Sequence, residues 1–488
     1  MVNEGGFYFF GLWFKSIGIK PERTIMKHMK VFNTLTNKKE EFVPIKEGEY
    51  KIYVCGPTVY NYIHIGNARP AIVFDVLRRY LEYKGNKVRY VSNITDIDDK
   101  IIKRSIEEGI TFDQVARKYE NEYYHDLEGL NVRFADVRPR VSDHIPEIID
   151  MVQTLIDKGH AYRTDNGDVY FRVHSFEDYG KLSHQPLRDL ESGARIAVDD
   201  IKESPADFAL WKAAKPGEPS WHSPFSEGRP GWHIECSAMS KKHLGETIDL
   251  HCGGLDLIFP HHENEIAQSE CTSDKEFAHY WMHNAYINVD NQKMSKSLNN
   301  FFTVRDISDQ YGYEPIRYFQ LTAHYRMPLN FTREVMDRCK SSLERMYTAR
   351  DYLDFLIGKA EGADNDIKEV ADACKARFIE VMDDDLNTSD ALSEIFKLIT
   401  AINTTGTKQS KEALIYAAEI FDEMTGVLGL LYNRKTDEIP QKVKDLVAER
   451  TQVRKDKNWA RADEIRDELD AMGYIVKDTP QGPQILNK

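Results

Sequence analysis

A strand, a loop, a helix and a second strand follow one another within about 45 residues near the start of the chain. Residues 50–55 (YKIYVC) alternate and are rich in β-formers, and Gly56-Pro57-Thr58 breaks the run. Residues 70–83 (PAIVFDVLRRYLEY) carry apolar side chains at helical spacing and stop at Gly85. Residues 87–94 (KVRYVSNI) read as the next strand. Two strands joined by a helix must lie parallel, so the expected fold is α/β with a Rossmann-like parallel sheet. Ligands of such sheets collect at the carboxyl ends of the strands. Cys55 and Thr95 fall at two such ends.

The pattern turns irregular over residues 141–231, with a Pro/Gly/Ser/Trp-rich stretch at 215–230, which reads as an insertion within the nucleotide fold. The α/β rhythm resumes at 248–251, Gly253-Gly254 and a helix expected to start near Pro260. Residues 332–431 look nearly all helical, 433–440 (NRKTDEIP) form a polar linker, and a small unit follows. With 488 residues, about three domains are expected. Basic side chains number 65 against 79 acidic, a net charge of −14, which excludes a generically basic nucleic-acid coat but leaves room for a local basic patch. Six scattered cysteines do not make a disulfide framework and point to a reducing cytoplasm. Long apolar spans are absent. Residues 7–14 (FYFFGLWF) are too short to span a bilayer and lack the flanks of a signal peptide. Residues up to about Lys27, just ahead of Met29, read as an upstream-start extension or disordered arm, with a short amphipathic docking segment as the alternative.

Three groups of residues carry chemistry. His64-Ile65-Gly66-Asn67 opens the helix after the first strand, where glycine and a helix start suit a phosphate and a histidine can donate to it. Lys293-Met294-Ser295-Lys296-Ser297 reads as a polar loop able to clamp a triphosphate and stabilise charge as pyrophosphate departs. A solvated basic turn is the bland alternative. Cys55, Cys236, His261 and Glu265 make a plausible Zn²⁺ set, with the last two an i, i+4 pair. Spacing alone leaves His262 and Cys252 as equal candidates, and buried apolar cysteines as a further reading. Near the end, Arg450, Arg454, Lys457 and Arg461 recur at spacings of 4, 3 and 4, a helical stripe suited to phosphates beside an apolar stripe of Ala462, Ile465, Leu469 and Met472.

The first two motifs, in this order, resemble the signatures of class I aminoacyl-tRNA synthetases, with Asn67 where the usual HIGH form has its second histidine. CGPTVY, TDIDDK (95–100), GWHIECSAM (231–239), GGLDLIFPHHENEIAQS (253–269) and KMSKS match the cysteinyl-tRNA synthetase family, from about Met29 to the end. The resemblance implies one Zn²⁺ per chain on Cys55, Cys236, His261 and Glu265, with Cys252 an extra, unliganded thiol. It implies that Cys55, Gly56, Thr95 and Trp232 meet L-cysteine. ATP, with Mg²⁺, falls to His64, Gly66, Asn67, Gly254, Asp256, Lys293, Ser295 and Lys296, of which His64, Asn67, Lys293 and Lys296 are catalytic. Residues 383–392 match the start of the family's helical bundle, and 454–469 with Gly473 match its anticodon-binding unit, which gives the basic stripe to tRNA(Cys). The implied domains are an extension at 1–28, a catalytic domain at 29–330 with an insertion at about 141–231 and a signature-loop region at about 290–330, a helical bundle at 331–436 and an anticodon-binding domain at 437–488. The implied protein is a cytoplasmic monomer. The nearest rival joins cysteine to an amino sugar in mycothiol synthesis and predicts a chain ending soon after the catalytic core. A plain nucleotidyltransferase leaves the metal set unexplained, and a non-catalytic zinc module leaves KMSKS unexplained.

Overall fold

The computed structural model describes residues 29–185, 201–293, 301–434, 439–479 and 482–487. β1 (Glu49–Val54), β2 (Lys87–Ser92), β3 (Ile248–Gly254) and β4 (Ala278–Asn284) form one parallel sheet in the order β4-β3-β1-β2. Val54 lies opposite Ser92 on one side and Cys252 on the other, and Asn284 opposite Gly254, so the carboxyl ends of all four strands align. The chain leaves β1 toward β2 and returns later on the other side as β3. The crevice between β1 and β3 is therefore the switch point where such sheets bind ligands.

α1 (Ile65–Tyr83) joins β1 to β2. It starts where the His64 motif places it, with His64 as its cap and Pro70 inside its second turn. Its apolar face, including Ile72, Val76, Leu77 and Tyr80, is fully buried against the sheet and the helices beyond. Between β2 and β3 come helices Asp99–Glu108, Phe112–Gly129 and Ile145–Asp157, then a four-stranded antiparallel sheet built from Ala161–Arg163, Val169–Phe171, Phe208–Ala213 and Gly228–Pro230. That sheet, with helix Ile145–Asp157 packed beside it, is what the irregular stretch after residue 141 becomes.

Helices Arg333–Lys359, Asp366–Asp383, Thr388–Thr405 and Lys411–Leu428 follow, as the helical period suggests. Their buried side chains belong to the same apolar core as α1 and β1. The junction is locked by Arg317, which has no exposed surface. Its guanidinium donates to the carbonyls of Leu428 (2.8 Å), Leu130 (3.1 Å) and Asn131 (3.0 Å) and to the Asp75 carboxylate (2.7 Å). Gly429 turns there at φ +66°, and a Cβ would lie 2.4 Å from Arg317.

The last unit has its own small core of Val443, Leu446, Val447, Ile465 and Leu469. Here the basic stripe is corrected. Helix Gln441–Lys455 ends before Lys457, which sits at φ +59° in the turn, and a second helix, Trp459–Ala471, starts under an Asn458 cap. Asn458 accepts from the Arg461 amide and so starts a new helix rather than continuing the old one. Arg450 is buried in a two-point pair with Asp478 of the terminal hairpin, and Arg461 pairs with Glu449, Glu464 and Glu468. The adjoining apolar stripe does pack, with Ala462, Ile465 and Leu469 buried. Residues 1–28 lie outside the described residues. Among the described residues no helix is long and apolar enough to cross a membrane.

Candidate active site and metal centre

Cys55 follows β1, and its amide donates to the Cys252 carbonyl at 3.2 Å, which holds it at the switch point. Cys236 comes from α2 (Trp232–Leu244). His261 lies in the wide turn Ile258–His262, and Glu265 in α3 (Glu263–Ser273). The regular helix thus starts at Glu263, past the Pro260 start read from sequence, because Phe259 keeps an extended backbone. The i, i+4 contact survives, with His261 Nε2 3.0 Å from Glu265 Oε1. Four donor atoms, one each from Cys55, Cys236, His261 and Glu265, lie within 4.8 Å of one another. The two sulfurs are 3.8 Å apart, and Cys55 Sγ is 3.5 Å from Glu265. All six cysteines are free thiols.

The electrostatics of this cluster suit a cation. Burial pushes the Glu265 carboxyl up, but His251 and His261 outweigh it and hold the group down at about 2. Burial opposes a charge on His261, yet Glu265 and Cys236 raise it to about 10. A hydrogen bond from the Cys55 thiol brings Cys236 down to about 6, while burial pushes Cys55 itself well up. The cluster therefore stabilises a carboxylate and a thiolate around a retained proton, the position a metal takes from protons when it binds. A second set, Cys55, His251, His262 and Glu265, shares two of the donors. His251 Nε2 sits 2.9 Å from Glu265, and His262 Nδ1 sits 2.8 Å from His283. Gly253 makes room for the His262 ring, since a Cβ there would lie 2.8 Å from it.

Of these donors Cys55 lines a cleft of about 460 Å³, whose walls also include Gly56, His64, Gly66, Asn67, Trp232, Gly254 and Asp256. Trp232 is 41% exposed, a cleft wall rather than a core aromatic, with its ring 4.3 Å from that of His261. Gly56 permits the closest approach in the site, because a Cβ would fall 1.6 Å from the Asn93 carbonyl oxygen. Its amide donates to Asn93 Oδ1 at 2.9 Å. Thr95 does not line the cleft. It is buried, and its hydroxyl donates to Glu235 at 3.1 Å.

The helix start differs from the anion site read from sequence. The amides of Gly66 and Asn67 donate to His64 Nδ1, at 3.1 and 3.3 Å. Those two N–H groups are taken, and the His64 proton is assigned to Nε2. Lys293 pairs through its backbone with Asn288 in a short antiparallel ladder. Ser295 and Lys296 lie outside the described residues. Sequence reasoning missed Asn93, which comes 37 positions after its partner Gly56 and carries no motif. His251, which meets Glu265, and His283, which meets His262, gave no spacing signal either, because they sit on different strands.

Residues 41–341 match the model described as "tRNA synthetases class I (C) catalytic domain", residues 377–432 the DALR domain, and residues 436–485 the "Cysteinyl-tRNA ligase anticodon binding domain". The chain belongs to the cysteinyl-tRNA synthetase family of class I. A cysteine–tRNA ligase of Caldicellulosiruptor saccharolyticus is 54% identical over 462 residues, 94% of this chain and 99% of the relative. One from Clostridioides difficile is 54% identical over 460 residues, covering 93% and 99%. Among solved structures, Mycobacterium tuberculosis methionyl-tRNA synthetase with methionyl-adenylate superposes with a TM-score of 0.58 at 14% identity, covering 78% of this chain and 89% of that one. That likeness concerns the fold. The DALR and anticodon-binding matches fill the part of the chain that an amino-sugar ligase of the mycothiol pathway would lack, so that rival is not favoured.

Proposed function

We propose that the protein is a cysteine–tRNA ligase. It activates L-cysteine with ATP, releases pyrophosphate, and transfers the cysteinyl group from the adenylate to the 3′ end of tRNA(Cys). The observation that carries this reading is the convergence of Cys55, Cys236, His261 and Glu265, with Cys55 lining the same cleft as His64, Gly254 and Asp256. Those four residues would hold one Zn²⁺, which supplies a soft centre that prefers a thiolate to the nearly isosteric serine hydroxyl. Gly56 and Trp232 frame the amino acid, and Thr95 acts from behind through Glu235. His64 donates from Nε2 to a phosphate oxygen, and the side-chain carboxamide of Asn67 stands in for a second histidine donor. Gly254 keeps the backbone close to the ATP ribose, whose hydroxyls donate to Asp256.

The cysteine carboxylate attacks the α-phosphorus in line. Lys293, Ser295 and Lys296, with Mg²⁺, stabilise the charge that develops there and on pyrophosphate. No protein nucleophile takes part, so positioning and electrostatics supply the rate. Arg454 and Lys457 offer charge to tRNA phosphates, while Arg450 and Arg461 shape the unit that carries them. The family resemblance carries the expectation of a monomer, and free thiols at this density suit the cytoplasm.

The test is His64→Ala. Cysteine-dependent ATP–pyrophosphate exchange should lose kcat by about a hundredfold, the scale of one lost transition-state donor, with the KM for cysteine little changed. Unchanged exchange in that variant would overturn the role given to the helix start.

A further inference from the structure

Away from the cleft, two imidazoles meet where α2 ends. His243 lies in the last turn of α2, and His144 stands immediately before helix Ile145–Asp157. Two helical turns separate His243 from Cys236, a rise of about 10 Å. From there the chain enters β3, so the pair sits toward the edge of the sheet opposite the cleft. The two Nε2 atoms are 2.8 Å apart, with the ring planes at 67°. His144 Nδ1 lies 2.7 Å from the Arg140 carbonyl oxygen. A carbonyl only accepts, so Nδ1 carries the proton and Nε2 turns its lone pair toward His243, which donates from its own Nε2. Burial, His144, Arg89 and Lys242 hold His243 below its ordinary pKa, so it is a neutral imidazole at pH 7.

A neutral imidazole with one nitrogen tied to a carbonyl and the other presenting a lone pair is a metal ligand already in its binding tautomer. Both rings are half-buried, within reach of an ion from solvent. Behind them Ile145, Ile148, Met239 and Leu244 share one buried core, which fixes the spacing of the two helices. Bonds of about 2.05 Å in tetrahedral geometry set two ligand nitrogens about 3.3 Å apart, so a small opening of the rings admits an ion. The proton on His243 passes to Nδ1 of the same ring by exchange with water, and the pair stays neutral. Glu147 interacts electrostatically with both rings and is held by Lys242 at 2.9 Å. Its carboxylate sets a negative charge beside the Arg89 and Lys242 cations.

We propose that His144 and His243 bind a divalent transition ion of their own, zinc by its preference for imidazole, with water completing the shell. The ion clamps the far end of the helix that carries Cys236 to the helix that follows His144. Neither histidine belongs to the Cys55, Cys236, His261 and Glu265 set, and the site stands whether or not that set holds zinc.

Two imidazoles hold zinc more weakly than a set with thiolates and a carboxylate, so the ion is counted on full-length protein dialysed against buffered free zinc in the micromolar range. Wild type should bind one zinc more than His243→Gln or His144→Gln, and Cys236→Ala should keep that zinc. His222→Gln, which alters an exposed histidine paired with Glu227, should bind as wild type does. Equal zinc in wild type and both pair variants would overturn the site, as would a loss of the same size in His222→Gln. Unaltered protein gives a second readout, independent of whether the variants fold. Acylation of His144 and His243 by diethylpyrocarbonate, read by peptide mass, should fall about tenfold at zinc about ten times its dissociation constant, and magnesium should not protect. Acylation unchanged by zinc, or slowed equally by magnesium, would also overturn the site.

Discussion

Asp75→Asn is expected to loosen the joint between the catalytic sheet and the helical bundle without touching the cleft. The carboxylate lies on α1, buried, 2.7 Å from both Arg79 and Arg317, and accepts from the Arg133 amide at 3.1 Å. Burial alone would push its pKa up, but Arg79, Arg317 and Arg133 hold it well below the usual carboxylate range. Neutralising it leaves the Arg317 charge fully enclosed among carbonyls. Removing one partner of a buried pair costs about 3–5 kcal/mol, far more than the net worth of the intact pair. Denaturant unfolding at pH 7 should show that loss, and amide exchange should accelerate over residues 313–321 and 425–430. The pH profile carries a sign. Because the folded pKa is depressed, the stabilisation stands above about pH 4, the ordinary carboxylate value, and fades as pH falls toward the folded value. Asp75→Asn should lack that acid-side decline. A loss under about 1 kcal/mol, or an unchanged acid limb, would refute the reasoning.

Gly56→Ala sets a methyl against the Asn93 carbonyl, 1.6 Å from its oxygen, so the ends of β1 and β2 must separate. Exchange kcat/KM should fall by about tenfold or more, equivalent to about 1.4 kcal/mol, with bound metal reduced by elemental analysis. Glu265→Gln removes the carboxylate that faces His251, His261 and Cys55, and metal affinity measured by competition with a chelator should fall at least about a hundredfold. Arg450→Met breaks the two-point pair with Asp478. The half-exposed partner limits the loss to about 1 kcal/mol in unfolding of the terminal unit. Affinity for tRNA(Cys) should weaken with it while exchange stays intact.

Much of the parallel sheet is legible in the sequence because β1, α1 and β2 are adjacent and each carries its own period. The metal donors are legible only through family motifs. They come from three distant segments, and the structure itself leaves His262 and His251 around the same sulfur. Local signals misled in two places. Pro260 reads as a helix start, yet Phe259 keeps an extended backbone and the regular helix begins at Glu263. Arg450 to Arg461 keeps helical spacing across a turn that Lys457 and the Asn458 cap impose, and spacing cannot register a cap competing with continuation. Asn93 was invisible because its importance is set by the approach of Gly56, a contact between strands rather than within one.

The most direct test of the central claim joins metal content to substrate choice. Wild type and Cys236→Ala are purified alike, bound zinc is measured, and ATP–pyrophosphate exchange is run with cysteine and with serine. Wild type should hold about one zinc per chain, exchange with cysteine and ignore serine, and Cys236→Ala should lose zinc and cysteine exchange together. Selective cysteine exchange by a zinc-free Cys236→Ala protein would contradict selection by the Cys55, Cys236, His261 and Glu265 set.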